Sequence, residues 1–323
     1  MRVVLSPREA AFALAAGHLA ALPTETVYGL GARTDDPQAI AQIYAAKGRP
    51  ADHPLIAHLA TVEAMDAWGT DIPEFAYQLA NEFWPGPLTL VIPRSTRAGD
   101  FITGGQKSVA VRVSAHPLMQ EVQRLLIELT GDPAIAIAAP SANRFGKVSP
   151  TNAHHVLEEL HDFTTHDDVV LDGGECAVGV ESTIIDCTGD HPRLLRPGAI
   201  SIEQVEAVTG LPCTTDSRVR ASGTLDSHYS PTATVELIDA TELQKHVFAT
   251  ASIGLIALAD HPTPAGMVRL CAPQTRDEYA QQLYAALREA DALKLSKVLA
   301  IAPPLGGIGA AILDRLTRAA HPN

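Results

Sequence analysis

The sequence predicts an α/β protein of two domains, a larger mixed α/β unit followed by a smaller three-layer one. Strand-like apolar runs alternate with helix-like segments along most of the 323 residues. The texture changes between Leu211 and Pro231, a stretch rich in Ser, Thr, Gly and Pro with no sustained apolar period, which reads as a linker. The length suits two cores on a prior of about 150 residues per domain. The expected division is therefore 1–210, a linker over 211–231, and 232–323.

The elements follow in order. Pro7 to Ala21 is alanine-rich, with Phe12, Leu14 and Leu19 inside it, and reads as a helix that Gly17 weakens near its end. A hydroxyl-rich loop and a glycine-rich turn come next. Asp35-Asp36-Pro37 then signals a helix running to Ala46. Leu55–Leu59 reads as a strand, and Val62–Trp68 and Pro73–Phe83 as helices. Leu88–Pro93 is a strand bounded by prolines. Ser108–Val113 is a strand that carries Arg112, Pro117–Leu129 a helix, and Ile135–Ala139 a short strand. Thr151–Leu160 is a helix, and Val169–Asp172, Ser182–Asp186 and Leu194–Arg196 supply further strands. Beyond the linker, strands are expected at Thr234–Ile238, Ile253–Leu258 and Val298–Ile301, and helices at Asp277–Ala292 and Gly309–Ala319. That alternation predicts a largely parallel sheet.

Composition narrows the class. With 46% hydrophobic and 19% charged residues the chain is globular rather than disordered. It has no apolar run of the roughly 20 residues that a membrane helix needs. The N-terminus lacks a long apolar core, so no signal peptide is expected and cytoplasm is the default. Cys176, Cys187, Cys213 and Cys271 form no C-x-x-C pair, which argues against a zinc knuckle or redox motif. His154-His155 project about 100° apart on a helix and cannot easily share one ion. The net charge of −13 argues against a generally sticky nucleic-acid binder.

The chemistry-bearing residues gather in a few loops. Pro23–Gly31 carries two hydroxyls, a carboxylate and a phenol ahead of glycines, and Lys47-Gly48-Arg49-Pro50 sets two cations close together. Donors and cations near glycine-rich backbone suit a polyanionic ligand. Gly104-Gly105-Gln106-Lys107-Ser108 lacks the glycine spacing of a P-loop and is set aside. Pro140–Thr151 runs from a strand end to a helix start with two serines and two cations, a setting for anion contact beyond helix capping. Gly173–Thr183 is another flexible loop that runs into a strand. Arg196 sits at a strand end. Arg112 interrupts an apolar strand, so an anionic partner, carboxylate or phosphate, is expected.

In this order the motifs resemble those of the YrdC/Sua5 family. They are Pro-Thr-Glu-Thr-Val-Tyr-Gly-Leu (23–30), Lys47-x-Arg49-Pro50, Ser108–Arg112, Pro140–Asn143, Ser149-Pro150-Thr151, Glu181-Ser182-Thr183 and Arg196-Pro197-Gly198. The length, the linker and the ending Gly306–Leu316 look like the longer, Sua5 form, so the resemblance covers essentially the whole chain. It implies a YrdC-like twisted mixed sheet with flanking helices, plus a smaller Rossmann-like three-layer α/β C-terminal domain. It also implies an L-threonylcarbamoyladenylate synthase, a nucleotidyltransferase that joins L-threonine, bicarbonate or CO2, and ATP, and releases pyrophosphate. The product would feed t6A37 synthesis on tRNA. Carried over by motif, Thr26, His58, Arg112, Ala139 and Ser182 match threonine-binding positions. Lys47, Arg49, His53, Ser108, Ser141, Ser149, Arg196 and Tyr229 match ATP-binding positions. Mg2+ is expected to arrive on the ATP phosphates, with no tightly bound organic cofactor. The implied partners are the downstream t6A transferase machinery and tRNA, without a membrane. No catalytic residue is assigned, and the general base stays open, substrate-assisted deprotonation being one route.

The chain departs from the family pattern at named places. His53 stands where Asn is usual, Ser108 where Thr is common, and Phe145 where a small Ser is usual. The linker lacks the Pro-Gly-Met and Lys-Tyr-Arg stretches of some relatives but keeps His228-Tyr229-Ser230-Pro231, consistent with a lid over the nucleotide. Two rival readings use the same residues. One is a non-catalytic tRNA or double-stranded RNA-binding module, which the charge disfavours. The other is a YrdC-related carbamoyltransferase, whose second catalytic domain would need more chain than 232–323 provides.

Overall fold

The computed structural model describes residues 1–223, 229–243 and 252–321; His228 of the linker motif lies outside them. The chain opens with β1 (Arg2–Val4), α1 (Pro7–Ala15), β2 (Ala20–Leu22) and β3 (Gly29–Arg33). Helix α1 ends at Ala15 rather than Ala21. Gly17 takes φ +84, which breaks the helix, and Ala20–Leu22 becomes a fully buried strand paired on both sides. Alanine's helix propensity yields there to tertiary pairing. The glycine-rich stretch is likewise a strand and not a turn. A Cβ on Gly29 would stand 2.9 Å from the Ala139 Cβ, and one on Gly31 2.9 Å from the Ala20 carbonyl, so these glycines permit close approach of neighbouring strands.

Helix α2 (Pro37–Lys47) starts where the Asp-Pro signal places it. The Asp36 carboxylate accepts from the Gln38 and Ala39 amides, and Gly48 at φ +61 stops the helix. The cations at 47 and 49 thus flank a forced turn. Next come β4 (Ile56–His58), α3 (Met65–Trp68), α4 (Glu74–Phe83), β5 (Leu88–Pro93), α5 (Asp100–Thr103), β6 (Ser108–Arg112) and α6 (Pro117–Thr130). The first domain finishes with β7 (Ile137–Ala138), α7 (Ala153–Leu160), β8 (Val169–Leu171), β9 (Thr183–Asp186), β10 (Arg193–Arg196) and α8 (Ile202–Thr209). Sequence pattern did not single out β1, α5 or α8.

Among the described residues these strands form one ten-stranded mixed sheet, in the order β1-β8-β2-β3-β7-β4-β6-β5-β9-β10. Its register positions the site. Parallel β4 and β6 place His58 opposite Arg112, and parallel β5 and β9 place Leu88 opposite Thr183. One apolar cluster includes Trp68, Leu79 and Leu90; another joins Leu14 of α1 to Val122 and Leu126 of α6.

The C-terminal domain contains β11 (Thr234–Leu237), β12 (Ile253–Ile256), β13 (Val268–Cys271), α9 (Arg276–Ala292), β14 (Lys297–Ala300) and α10 (Gly309–Ala320). Its sheet, ordered β11-β14-β12-β13, is parallel throughout the described residues, and β13 was not foreseen. The core of this domain continues into the first. Tyr279, Leu283 and Leu316 share one cluster with Val27, Val148 and Val180. At the boundary Gly179 takes φ +81, and a Cβ there would fall 2.3 Å from the Gln281 Cα; glycine lets α9 close on the loop before β9. Arg288 crosses the same boundary, pairing with Glu159 at 3.2 Å and donating to the Val148 carbonyl. No helix among the described residues is long and apolar enough to cross a membrane.

Candidate active site

One cleft gathers residues from distant parts of the sequence. Thr26 precedes β3, and Arg49 follows α2. His58 and Arg112 stand at the ends of β4 and β6, and Ala139 and Ser141 follow β7. Ser182 immediately precedes β9, Arg196 ends β10, and Ser222, Gly223 and Tyr229 come from the segment after α8.

Arg112 organises one polar group. Its Nε donates to the Gly86 carbonyl at 3.2 Å and its Nη1 to Thr26 Oγ1 at 3.0 Å. The anionic partner expected for this buried cation is Glu25, with Nη2 2.7 Å from Oε1. Neither of those two atoms has an aligned hydrogen-bond partner among the described residues, so the ion pair leaves donor capacity unused. Burial alone would raise the Glu25 carboxyl, but Arg112 and the Ser114 hydroxyl, which donates to Oε2 at 2.5 Å, hold it at about 2. Glu25 therefore neutralises a cation in the wall. Thr24 shapes the backbone beside it: its hydroxyl donates to the Val27 carbonyl at 2.6 Å.

Beside this group the His58 ring is enclosed. Burial and then Arg112 push its pKa down to about 3, so the ring is neutral at pH 7. Its Nδ1 has no hydrogen-bond partner among the described residues, which leaves an acceptor or donor for a ligand.

Arg49 and Arg196 form a second group, bridged by Ser222. Arg49 Nη2 donates to the Pro54 carbonyl at 2.9 Å and to Ser222 Oγ at 3.2 Å. Arg196 donates to the Ser222 carbonyl at 2.9 Å, to the Ser182 carbonyl at 3.1 Å and to Ser182 Oγ at 3.1 Å. Burial lowers the pKa of Arg196 and brings Arg49 to about 10, yet both remain cations at neutral pH. Gly223, at φ +76, lies against this group; a Cβ there would be 2.4 Å from the Tyr229 hydroxyl and 2.9 Å from Arg196 Nη1.

Four residues named from sequence do not line this cleft. Lys47 is buried, with Nζ donating to the Ser141 carbonyl at 2.6 Å and the Asn143 carbonyl at 2.5 Å, so it ties down the loop that carries Ser141. Burial, with Arg49 adding to it, drives its pKa well down. Ser149 is also buried, its hydroxyl donating to Glu181 Oε1 at 2.6 Å. Ser108 lines an adjoining hollow that shares Ser222 with the cleft. His53 is half-buried, and its ring meets Phe145 edge-on at 5.3 Å, with the Arg49 guanidinium 5.7 Å from the same phenyl. Two departures from the family pattern therefore touch each other.

Sequence reasoning noted Glu181 only as part of a motif. It lines the cleft with its carboxylate buried, and it accepts from Ser149, from Tyr284 at 2.8 Å and from Arg315 at 2.9 Å. Burial would raise its pKa, but Arg315 and then Arg196 bring it to about 2. A single acidic residue beside Ser-Thr gave no local sign of partners in another domain.

Comparison with known proteins places the chain in a family. The Sua5/YciO/YrdC family, described as "Telomere recombination", matches residues 13–198. The family described as "Threonylcarbamoyl-AMP synthase, C-terminal domain" matches residues 200–321. Threonylcarbamoyl-AMP synthase of Pyrococcus abyssi is 41% identical over 320 residues, covering 94% of this chain and 90% of that protein. The Bacillus subtilis protein of the same name is 37% identical, covering 97% of this chain and 92% of its own. The crystal structure of P. abyssi Sua5 complexed with L-threonine superposes with a TM-score of 0.84 at 40% identity, covering 97% of this chain and 94% of that one. The chain belongs to the YrdC/Sua5 family, in its longer two-domain form.

Proposed function

We propose that this member of the YrdC/Sua5 family is a threonylcarbamoyl-AMP synthase, a nucleotidyltransferase acting on L-threonine, bicarbonate or CO2, and ATP. The observation that carries the reading is the meeting of two polar groups in one buried cleft. Arg112 with Thr26 and His58 suits an amino acid, and Arg49 with Arg196 suits a triphosphate.

Arg112 has unused donor capacity on Nη2 and receives the threonine carboxylate, beside the Thr26 hydroxyl. His58, neutral and with Nδ1 free of protein partners among the described residues, hydrogen-bonds the amine or hydroxyl of threonine. The amine forms an N–C bond to the carbon of CO2, one C=O electron pair moving onto oxygen, or to that of bicarbonate, whose C–O bond breaks to release water. With the amine proton lost, either route gives the carbamate. A carbamate oxygen then attacks the α-phosphorus as the bond to the β-phosphate breaks and pyrophosphate leaves. Arg49 and Arg196 offset the charge on the phosphates, exchanging part of their contact with Ser222 for phosphate oxygens. Mg2+ enters as part of the ATP substrate. Ser141 and Tyr229 complete the nucleotide side, while Ser149 and Lys47 act beneath it.

Glu25, Glu181 and His58 all have low pKa values and are weak proton acceptors at pH 7. This supports loss of the amine proton to a substrate oxygen or to solvent. The product would pass, in the cytoplasm, to the enzymes that complete t6A on tRNA. Pyrophosphate release measured with each substrate omitted in turn tests the assignment. It should require both L-threonine and bicarbonate, and ATP turnover indifferent to threonine would sink it.

A further inference from the structure

The C-terminal domain sends two polar side chains to the wall of the cleft. Arg315, on α10, has no exposed surface; its Nε donates to Glu181 Oε2 at 2.9 Å and its guanidinium carbon lies 5.4 Å from the centre of the Tyr229 ring. Tyr284, on α9, reaches the same two residues. Its hydroxyl donates to Glu181 Oε2 at 2.8 Å, and its ring stacks on Tyr229 with centroids 5.5 Å apart. Both targets line the cleft.

An apolar contact would suffice if the domain merely closed the first core. Burying a guanidinium is costly, and a buried ion pair is weak evidence for stability. Tyr229 also needs support, because it sits at φ +62, where a bulky residue carries about 1–2 kcal/mol of strain. Flanked by Tyr284 and Arg315, it is held in that conformation from outside its own segment.

We propose that Arg315 and Tyr284 are positioning residues: from the C-terminal domain they fix Glu181 and Tyr229, and through them the nucleotide side of the cleft. This rests on the functional reading above. Among the described residues the side chains of Arg112, Thr26 and Glu25, on the threonine side, bond to one another, to Gly86 and to Ser114 rather than to Arg315, Tyr284 or Glu181, so the effect is selective.

The test is calorimetric titration of the full chain, with a non-hydrolysable ATP analogue and separately with L-threonine. The variants are Arg315→Gln, Tyr284→Phe and the double variant Arg315→Gln/Glu181→Gln. Arg315→Gln should weaken the analogue about tenfold or more while threonine stays within about twofold, a coupling of the size seen between contacting residues. Tyr284→Phe, which keeps the ring stack, should move analogue affinity in the same direction by less. The double variant removes the uncompensated carboxylate, so it should regain thermal stability without regaining analogue affinity. It and Tyr284→Phe carry the test if Arg315→Gln does not fold. Unchanged analogue affinity in the variants, or equal loss of both ligands, overturns the positioning role. A wild-type chain that binds neither ligand overturns the functional reading and this inference with it.

Discussion

Glu25 Oε1 and Arg112 Nη2 approach to 2.7 Å in a wall where 11% and 4% of their side chains remain exposed, yet neither atom has an aligned hydrogen-bond partner among the described residues. Coulomb attraction holds the cation in place without saturating its donors. Arg112→Ala should therefore act twice. It strands a buried carboxylate, costing about 3–5 kcal/mol of stability, and it removes the proposed carboxylate clamp. Thermal melts should show the first effect, and calorimetry should show threonine affinity lost with ATP affinity kept. Arg196→Ala should show the opposite ligand preference. Matching losses of both ligands in both variants would refute the division.

His58 gives a pH signature. Its folded pKa of about 3 lies below the ordinary 6.5, so below pH 6.5 the unfolded chain takes up a proton that the folded chain refuses. Stability should thus fall on acidification from pH 6.5 toward 3, by up to about 1.4 kcal/mol per pH unit for this group. His155, brought to about 4 by burial and then Arg288, has the same sign. Glu25 and Glu181 contribute stability that is present above pH 4.5 and lost as pH falls toward 2, so they stay silent between pH 5 and 6.5. Urea midpoints across pH 5–6.5 should show a shallower slope in His58→Gln. An unchanged slope would rule out the buried neutral ring.

Lys47 tests whether a cation acts directly or through backbone. Lys47→Met leaves the Ser141 and Asn143 carbonyls without their donor, at about 1–3 kcal/mol each. We expect a lower melting temperature, with ATP affinity reduced because the loop carrying Ser141 loosens. Lost ATP affinity at unchanged stability would instead make Lys47 a direct phosphate ligand.

His53 and Phe145 should behave as a pair. Their edge-on contact predicts a coupling of about 0.5–1.5 kcal/mol in a double-mutant cycle of His53→Asn and Phe145→Ser, read out as ATP affinity. Additive effects would mean that the two departures arose independently and do not cooperate.

Local signals were legible where the chain carries its own instructions. Asp36-Pro37 and Gly48 bound α2, and proline-flanked Leu88–Pro93 is β5. Signals failed where a neighbour decides. Ala20–Leu22 has helical composition but lies between two strands, and Gly29 and Gly31 look flexible but answer to atoms 2.9 Å away. The site divides the same way. Arg112 announced itself as a charge inside an apolar strand, and Thr26, His58 and Arg196 were named through motifs. Glu181 was missed as a hub because its partners Tyr284 and Arg315 lie 103 and 134 positions away. The bracing by Ser222 was missed because serine in a linker has no pattern to mark it.

That last separation bears on how the protein is made. Glu181 emerges from the ribosome 134 residues ahead of Arg315. A nascent chain that has already folded its first sheet still lacks the guanidinium that neutralises this carboxylate, and the phenol that shares it. The cleft receives its final charge balance from α10, a helix synthesised after every strand of the first sheet.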